Sequence, residues 1–213
     1  MTYDLQEQEH LATFRAWWDK YGTIVLVAVT AVLLAFAAWN GWRWYERREA
    51  AAATAVYEQV VRALEANEAA RVRELASRLS RDYAGTAFAA MAALHAARIE
   101  QEGNDLPAAR ARLQWVVDES GQRELVPIAR VRLAGILLDG KNYAEALKVL
   151  AAEPPPEHRV AFADRRGDVL YAQGRADEAR AAWQQALKHA EPQHPLRPLI
   201  ELKLEAVAEP VAS

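Results

Sequence analysis

The sequence contains no cysteine, and β-branched residues are sparse outside one N-terminal stretch. The missing cysteine excludes a disulfide framework and cysteine-ligated zinc; it suits an oxidising compartment, although many cytosolic proteins also have none. Alanine, leucine, arginine, glutamate and glutamine dominate instead, which is typical of stacked helices rather than of a sheet. We therefore expect an all-α fold with no strands.

A strong excess of either charge is also lacking. The 213 residues include 26 lysines and arginines against 29 aspartates and glutamates, a formal net charge of −3. Binding along nucleic acid needs clustered lysine and arginine side chains opposite the phosphates. We therefore expect no nucleic-acid partner.

Recognisable catalytic and metal-binding patterns are missing as well. None of the histidines forms a helical i, i+4 pair of the metalloprotease kind. They are His10, His95, His158, His189 and His194. No glycine-rich phosphate loop occurs, and serine, at positions 77, 80, 120 and 213, is too scarce to suggest a nucleophile elbow. We predict no catalytic residue, no metal site, no cofactor and no enzyme activity.

What the sequence does have is one long apolar run. Residues 21–42 include no charged side chain. At about 1.5 Å rise per residue, roughly 20 apolar residues match the ~30 Å hydrocarbon layer of a bilayer. Both ends of the run have aromatic rings of the kind that prefer the headgroup level, namely Trp17, Trp18, Tyr21, Trp39, Trp42, Trp44 and Tyr45. We predict a single transmembrane helix at residues 21–42, preceded by a short tail at residues 1–20.

Two other interpretations of this run are weaker. A buried helix of a soluble domain would not be so long or so apolar on all faces. A cleavable signal peptide is suggested by the small residues Ala35 and Ala37. However, the preceding tail has only Arg15 and Lys20 as bases among several acids, and the bulky Trp39 follows the supposed cleavage site. A retained membrane anchor is therefore favoured.

The remainder of the chain repeats a pattern of a small residue, a turn, and an alanine followed four residues later by a large apolar side chain. Ala109, Ala146 and Ala179 mark three copies, 37 and then 33 residues apart. These spacings bracket the period of about 34 residues of tetratricopeptide repeats, which are helical hairpins. Each copy includes further residues of the pattern. In the first copy they are Ala97, Gly103, Leu106, Leu113 and Val116; in the second, Leu133, Leu137, Gly140, Tyr143 and Leu150; in the third, Gly167, Tyr171, Gly174, Trp183 and Leu187.

The pattern has a mechanical reason. A small residue inside the first helix of a hairpin lets the second helix approach, Gly140 or Gly174 ends the first helix, and the alanine after the turn lets hairpins stack. We therefore predict a tetratricopeptide-like α-solenoid of helical hairpins after the transmembrane helix. A generic helical bundle with chance glycines remains the alternative.

Segments on either side complete the predicted repeat domain, residues 43–208. Residues 50–66 and 68–82 read as two further helices joined at Asn67. Three consecutive prolines, at 154–156, lengthen the link before the last hairpin. Residues 199–207 read as a C-terminal capping helix, and residues 209–213 as a frayed tail.

A repeat solenoid binds partners on its concave face, which the first helix of each hairpin lines. In the tetratricopeptide frame, the predicted partner-binding residues are Leu94, Arg98, Val131, Leu138, Asp168 and Tyr171. Such mixed apolar and charged side chains suit an extended peptide or a helix of a partner. The alternative for each is ordinary inter-repeat core. Arg98 and Asp168 are the better candidates because a charge is seldom buried for packing.

An acidic tail ending in paired tryptophans, one apolar span with an aromatic end, and the repeat pattern together point to a family. The residues concerned are Trp17, Trp18, Gly41, Trp42, Arg43, Trp44, Tyr45, Arg166, Gly167, Asp168, Ala179, Arg180, Ala182 and Trp183. On these residues the chain resembles, over nearly its whole length, the bacterial YfgM-type family of ancillary subunits of the SecYEG translocon. The resemblance implies a single-pass protein of the bacterial inner membrane, with a cytoplasmic tail and a periplasmic repeat domain.

The same resemblance implies the partners. They would be the SecYEG translocon, a membrane-anchored periplasmic chaperone or prolyl isomerase, the lipid bilayer, and unfolded or emerging polypeptides. Charge alone leans slightly towards the opposite orientation, because Arg15 and Lys20 precede the span whereas Arg43, Arg47 and Arg48 follow it. A cytoplasm-facing tetratricopeptide receptor or assembly factor is therefore the alternative. For a third class, an envelope enzyme with a helical accessory domain, the sequence offers no feature.

Overall fold

A computed structural model of the chain describes residues 3–208, and the side chains of residues 12–44 and 47–207. In that part of the chain the structure is all-α and contains no strand, which confirms the predicted fold class. The residues predicted to form a frayed tail, 209–213, lie outside the described residues. The helices are α1 (Tyr3–Glu65), α2 (Ala69–Asp82), α3 (Ala87–Glu102), α4 (Leu106–Asp118), α5 (Val126–Asp139), α6 (Tyr143–Val149), a 3₁₀ turn (Pro156–His158), α7 (Arg159–Ala172), α8 (Ala176–His189) and α9 (Arg197–Ala208).

The chain divides into two compact units, Met1–Glu49 and Ala50–Ser213. The first unit consists of the N-terminal part of α1. Among the described residues, α1 is the one helix long and apolar enough to cross a membrane. Side chains such as Ile24, Leu33 and Phe36 are exposed all around it. Because soluble proteins rarely expose so large an apolar surface, this length and composition suit a lipid environment.

Aromatic rings gather at both ends of the apolar run. The rings of Trp17 and Tyr21 lie 5.9 Å apart, centroid to centroid, before it. After it, the guanidinium of Arg48 lies 5.4 Å from the ring of Trp44. Both tryptophans are exposed, as rings at the depth of lipid headgroups would be.

In the second unit, the helices pair into hairpins through four equivalent turns of the described chain. Each turn contains a residue with left-handed φ: Asn67 (56°), Asn104 (61°), Lys141 (58°) and Gly174 (78°). The next residue then donates its backbone N–H to a carbonyl five positions earlier, as in the Schellman motif. These bonds are Glu68 to Ala63, Asp105 to Glu100, Asn142 to Leu137 and Arg175 to Leu170, at 2.7 to 3.0 Å.

The turns define four hairpins within residues 50–208. Their first helices are the end of α1, then α3, α5 and α7; their second helices are α2, α4, α6 and α8. The predicted alanines Ala109, Ala146 and Ala179 each lie five residues after the left-handed residue and are fully buried. In the first hairpin this position is Val72, also fully buried. The larger side chain explains why only three copies are visible in the sequence.

Buried residues of the described chain form three clusters: one between the first and second hairpins, one that extends from the second hairpin through the third to α7, and one between the last hairpin and α9. Trp115 packs against the first two of these clusters and so connects them. The capping helix is confirmed as α9, two residues longer at its N-terminal end than the predicted 199–207, with Ile200 fully buried. Arg197 joins α9 to the preceding hairpin by donating to the carbonyl of Ala190 at 2.7 Å.

Candidate partner-binding face

The six predicted partner-binding residues all lie on first helices, namely α3, α5 and α7. They also occupy equivalent positions when counted back from the left-handed residue of each turn. Leu94 and Val131 precede it by ten residues, Arg98 and Asp168 by six, and Leu138 and Tyr171 by three. Positions at this spacing share one side of a helix. We call the surface formed by this side of the three helices the first-helix face.

Two of the six side chains are clearly presented to solvent. The Arg98 side chain is 73 % exposed, and its Nε donates to Glu102 Oε1 at 2.7 Å. Tyr171 is 52 % exposed, with its ring centroid 5.8 Å from that of Trp183. Both could contact a partner without rearrangement of the core.

The structure corrects the expectation for Leu94. Leu94 is only 6 % exposed and packs in the buried cluster that includes Leu133 and Leu137, so its side chain does not line the face. Val131 and Leu138 are partly buried against the same cluster. The reason is geometric: residues ten before the turn lie where neighbouring first helices meet, and an apolar side chain there turns into the contact.

Asp168 belongs to a charge network at the α7 end of the face. Lys203 Nζ, from α9, lies 2.7 Å from Asp168 Oδ1 and 2.6 Å from Asp164 Oδ1. Arg165 Nη1 pairs with Asp168 Oδ2 at 3.3 Å. Burial raises the pKa of Asp164, with the bond from Lys203 opposing the rise. Two acids therefore face two bases, and this end of the face is close to neutral.

Sequence reasoning missed a second set of residues, one position further along each first helix. His95, Arg132 and Arg165 each lie nine residues before the left-handed residue, and each contacts the preceding first helix. His95 Nε2 is 3.4 Å from Tyr57 Oη on α1. Arg132 Nη1 donates to the Leu94 carbonyl at 3.2 Å. The guanidinium carbon of Arg165 would lie 3.6 Å from a Cβ placed on Gly135.

The surroundings of His95 and Arg132 are electropositive. Partial burial, followed by the charges of Arg132 and Arg98, holds the pKa of His95 below its usual value. Burial and the Arg98 charge also lower the pKa of Arg132. The charges that act on these two groups are thus all positive. His95 is therefore harder to protonate than an isolated histidine side chain.

No group of three or more histidine, aspartate or glutamate side chains among the described residues is arranged to hold a metal ion. The first-helix face presents guanidinium donors, carboxylates, a tyrosine ring and patches of aliphatic side chain, groups that occur at protein-binding surfaces.

The chain is similar to one family model and to several known proteins. The family model of the tetratricopeptide repeat-like domain matches residues 15–209, which include the apolar part of α1. The ancillary SecYEG translocon subunit of Neisseria gonorrhoeae is 26 % identical over 210 residues, covering 97 % of this chain and 100 % of that protein. The proteins of the same name from Aggregatibacter actinomycetemcomitans and Escherichia coli K12 are each 24 % identical, over 190 and 182 residues.

These relatives confirm the resemblance drawn from the sequence. The Aggregatibacter actinomycetemcomitans match covers 89 % of this chain and 93 % of its relative, and the Escherichia coli match covers 85 % and 87 %. Since the family model spans far more than half of the chain, and the four hairpins have the repeat architecture it describes, the chain belongs to the tetratricopeptide repeat-like domain family.

Proposed function

We propose that this protein is a membrane-anchored, non-catalytic scaffold that associates with the SecYEG translocon and connects it to periplasmic chaperones. One observation carries the proposal: the match to the Neisseria gonorrhoeae ancillary translocon subunit runs the full length of that protein and 97 % of this chain. The match therefore includes both the apolar run and the repeat domain of this chain, and the matched protein is named for its association with the translocon.

The proposed orientation follows the family resemblance. Residues 1–20 lie in the cytoplasm, residues 21–42 cross the inner membrane, and the repeat domain of residues 43–208 lies in the periplasm. In this arrangement the first-helix face meets polypeptides that leave the translocon, or the chaperone or prolyl isomerase that receives them. Its mixture of exposed charge and partly buried aliphatic side chains supports binding of an extended segment or of a partner helix.

Crosslinking in membranes tests the partnership. A photoreactive amino acid at Tyr171, which is exposed on the first-helix face, should crosslink to a periplasmic chaperone or an emerging polypeptide. The same group at Arg81, exposed on α2 away from that face, is the matched control. Translocon subunits should be recovered with the full chain in mild detergent. Recovery of neither translocon nor chaperone from membranes would refute the proposed function.

The absence of cysteine gives a direct test of orientation. Single cysteines replace the exposed residues Lys20 and Glu157, before and after the span. A membrane-impermeant maleimide added to cells with a permeable outer membrane should label Glu157→Cys and spare Lys20→Cys. The reverse result would favour the cytoplasm-facing receptor, for which the arginines at positions 43, 47 and 48 are the supporting observation.

A further inference from the structure

The charges along the first-helix face are unevenly balanced. At the α7 end, Asp164 and Asp168 are matched by Lys203 and Arg165 within hydrogen-bonding distance or close to it. At the α3–α5 end, Arg132 makes no ion pair with any described residue, and its one hydrogen bond goes to a backbone carbonyl. Arg132 and Arg165 are equivalent residues of successive hairpins, so the repeat places the same cation in two different electrostatic settings.

Two acids on the helices that flank this cation make other contacts. Glu102 pairs with Arg98 on the same helix, and Asp139 accepts a hydrogen bond from Gln101 at 3.0 Å. Exposed i, i+4 pairs such as Arg98–Glu102 contribute little to stability, because water screens them. A carboxylate arriving from a partner could therefore recruit Arg98 in addition to Arg132 at little expense.

The surface around Arg132 has room for such a group. A depression of about 320 Å³ lies between α3 and α5. Its lining includes the side chains of Arg98, Gln101, Glu102 and Arg132. Val131 and Leu138 present partly buried aliphatic surface on the same helix as Arg132. The depression combines two guanidinium groups with apolar surface nearby, which is the arrangement that holds an acidic side chain and packs the residues around it.

We propose that the α3–α5 part of the first-helix face binds a carboxylate side chain in an extended acidic segment of a partner protein, with Arg132 as the anchor and Arg98 as a second contact. The inference rests on the proposed scaffold function and narrows the partner to a segment in which glutamate or aspartate alternates with apolar residues. The neutral α7 end then accommodates the uncharged continuation of the segment.

Peptide binding to the full chain in detergent micelles tests the proposal. Two fluorescent probes, an extended eight-residue peptide alternating glutamate with valine and its counterpart with glutamine in place of glutamate, are compared by anisotropy. We expect the glutamate peptide to bind about tenfold more tightly, the ratio that one charge-assisted contact provides. Arg132→Gln should remove most of that preference and leave only the smaller part that Arg98 provides, and Arg132→Lys should retain most of it because the charge remains.

The matched control is Arg165→Gln, which changes the net charge by the same amount at the equivalent position of the next hairpin. It should keep the preference for the glutamate peptide. Equal affinity for the two peptides in the unaltered chain, an undiminished preference in Arg132→Gln, or the same loss in Arg165→Gln would each overturn the proposal. Should Arg132→Gln lose its helical circular dichroism, Arg98→Gln serves instead, with a smaller, about threefold loss expected from a second charged contact.

These outcomes are separable from those of the proposed function. Association with the translocon is measured on unaltered chains in membranes, whereas the preference for glutamate is measured with purified protein and defined peptides. A chain that crosslinks to the translocon but does not distinguish the two peptides retains the scaffold function and loses the acidic-segment site. A chain that distinguishes the peptides but recovers no translocon does the opposite.

Discussion

The indole of Trp183 lies directly against the backbone of Gly167, in the space that any side chain at this position would need. A Cβ built on Gly167 would lie 2.5 Å from Trp183 Cδ1 and 2.7 Å from Cε2, distances that real Cβ atoms do not adopt. The indole is held in place because Nε1 donates to the Asp164 carbonyl at 3.2 Å. The small residue predicted inside a first helix is therefore what allows α7 and α8 to approach.

Gly167→Ala is accordingly expected to destabilise the repeat domain by about 1–3 kcal/mol, the usual effect of overpacking a filled core. Urea titration of the full chain in micelles, followed by circular dichroism, measures the change. The control is Gly135→Ala, also inside a first helix, where the new Cβ would meet only Arg165 at an ordinary 3.6 Å. Alanine should be neutral there or stabilise by up to about 1 kcal/mol, since it is the better helix former. Equal destabilisation by both substitutions would contradict this account.

A buried ion pair joins α3 and α4, the two helices of the second hairpin. Arg112 Nε lies 2.6 Å from Glu100 Oε1, and the Glu100 side chain is 2 % exposed. Removing one member leaves a buried charge without its partner, so Arg112→Met should destabilise by about 3–5 kcal/mol. The double variant Glu100→Leu with Arg112→Met should recover much of that loss, because no buried charge then remains. A double variant as unstable as the sum of the two single variants would show that the pair is not coupled.

Lys141 adopts the left-handed conformation that glycine adopts at the equivalent position, Gly174. Lys141→Gly should raise the free energy of unfolding by up to about 1 kcal/mol, because the steric strain of a Cβ at this φ is relieved. Gly174→Ala should lower it by about 1–2 kcal/mol for the converse reason. The two midpoints of urea unfolding should therefore move in opposite directions, and a shift of both in the same direction would argue against the turn geometry.

His95 should make stability depend on pH. Its pKa is lowered in the folded chain by burial and by Arg132 on α5 and Arg98 on α3, while Tyr57 faces it from α1. The unfolded chain therefore takes up this proton first as the pH falls below about 6.5, and the free energy of unfolding should decrease from there down to the folded pKa. His95→Gln should flatten that slope. An identical slope in His95→Gln would contradict the prediction.

Much of the fold can be predicted from the sequence, because those parts of the fold depend on local properties of the chain. The span follows from an uninterrupted apolar run, and the hairpins follow from a period marked by Ala109, Ala146 and Ala179. The first hairpin was not recognised as a copy of the repeat because Val72 replaces the small residue at the marked position. Its turn at Asn67 was nevertheless visible, since asparagine tolerates the left-handed conformation.

The sequence predicted the candidate binding site only in part. The frame of the repeat placed all six predicted residues on first helices, but it could not tell that Leu94 turns inward while Arg98 remains exposed. The row of His95, Arg132 and Arg165 was missed because its members differ in type. Counting back from the left-handed residues reveals the row, and those residues include a lysine that no turn rule would select.

The sequence by itself determined an anchor, a helical repeat and the order in which they follow one another, since all three depend on composition and spacing within short stretches of chain. Tertiary structure alone decided which charges are neutralised. Lys203 pairs with Asp164, which is 39 residues away in the sequence, whereas Arg132 donates only to the backbone carbonyl of Leu94, which is 38 residues away. Electrostatic interaction depends on distance in space, and the packing of neighbouring helices sets that distance.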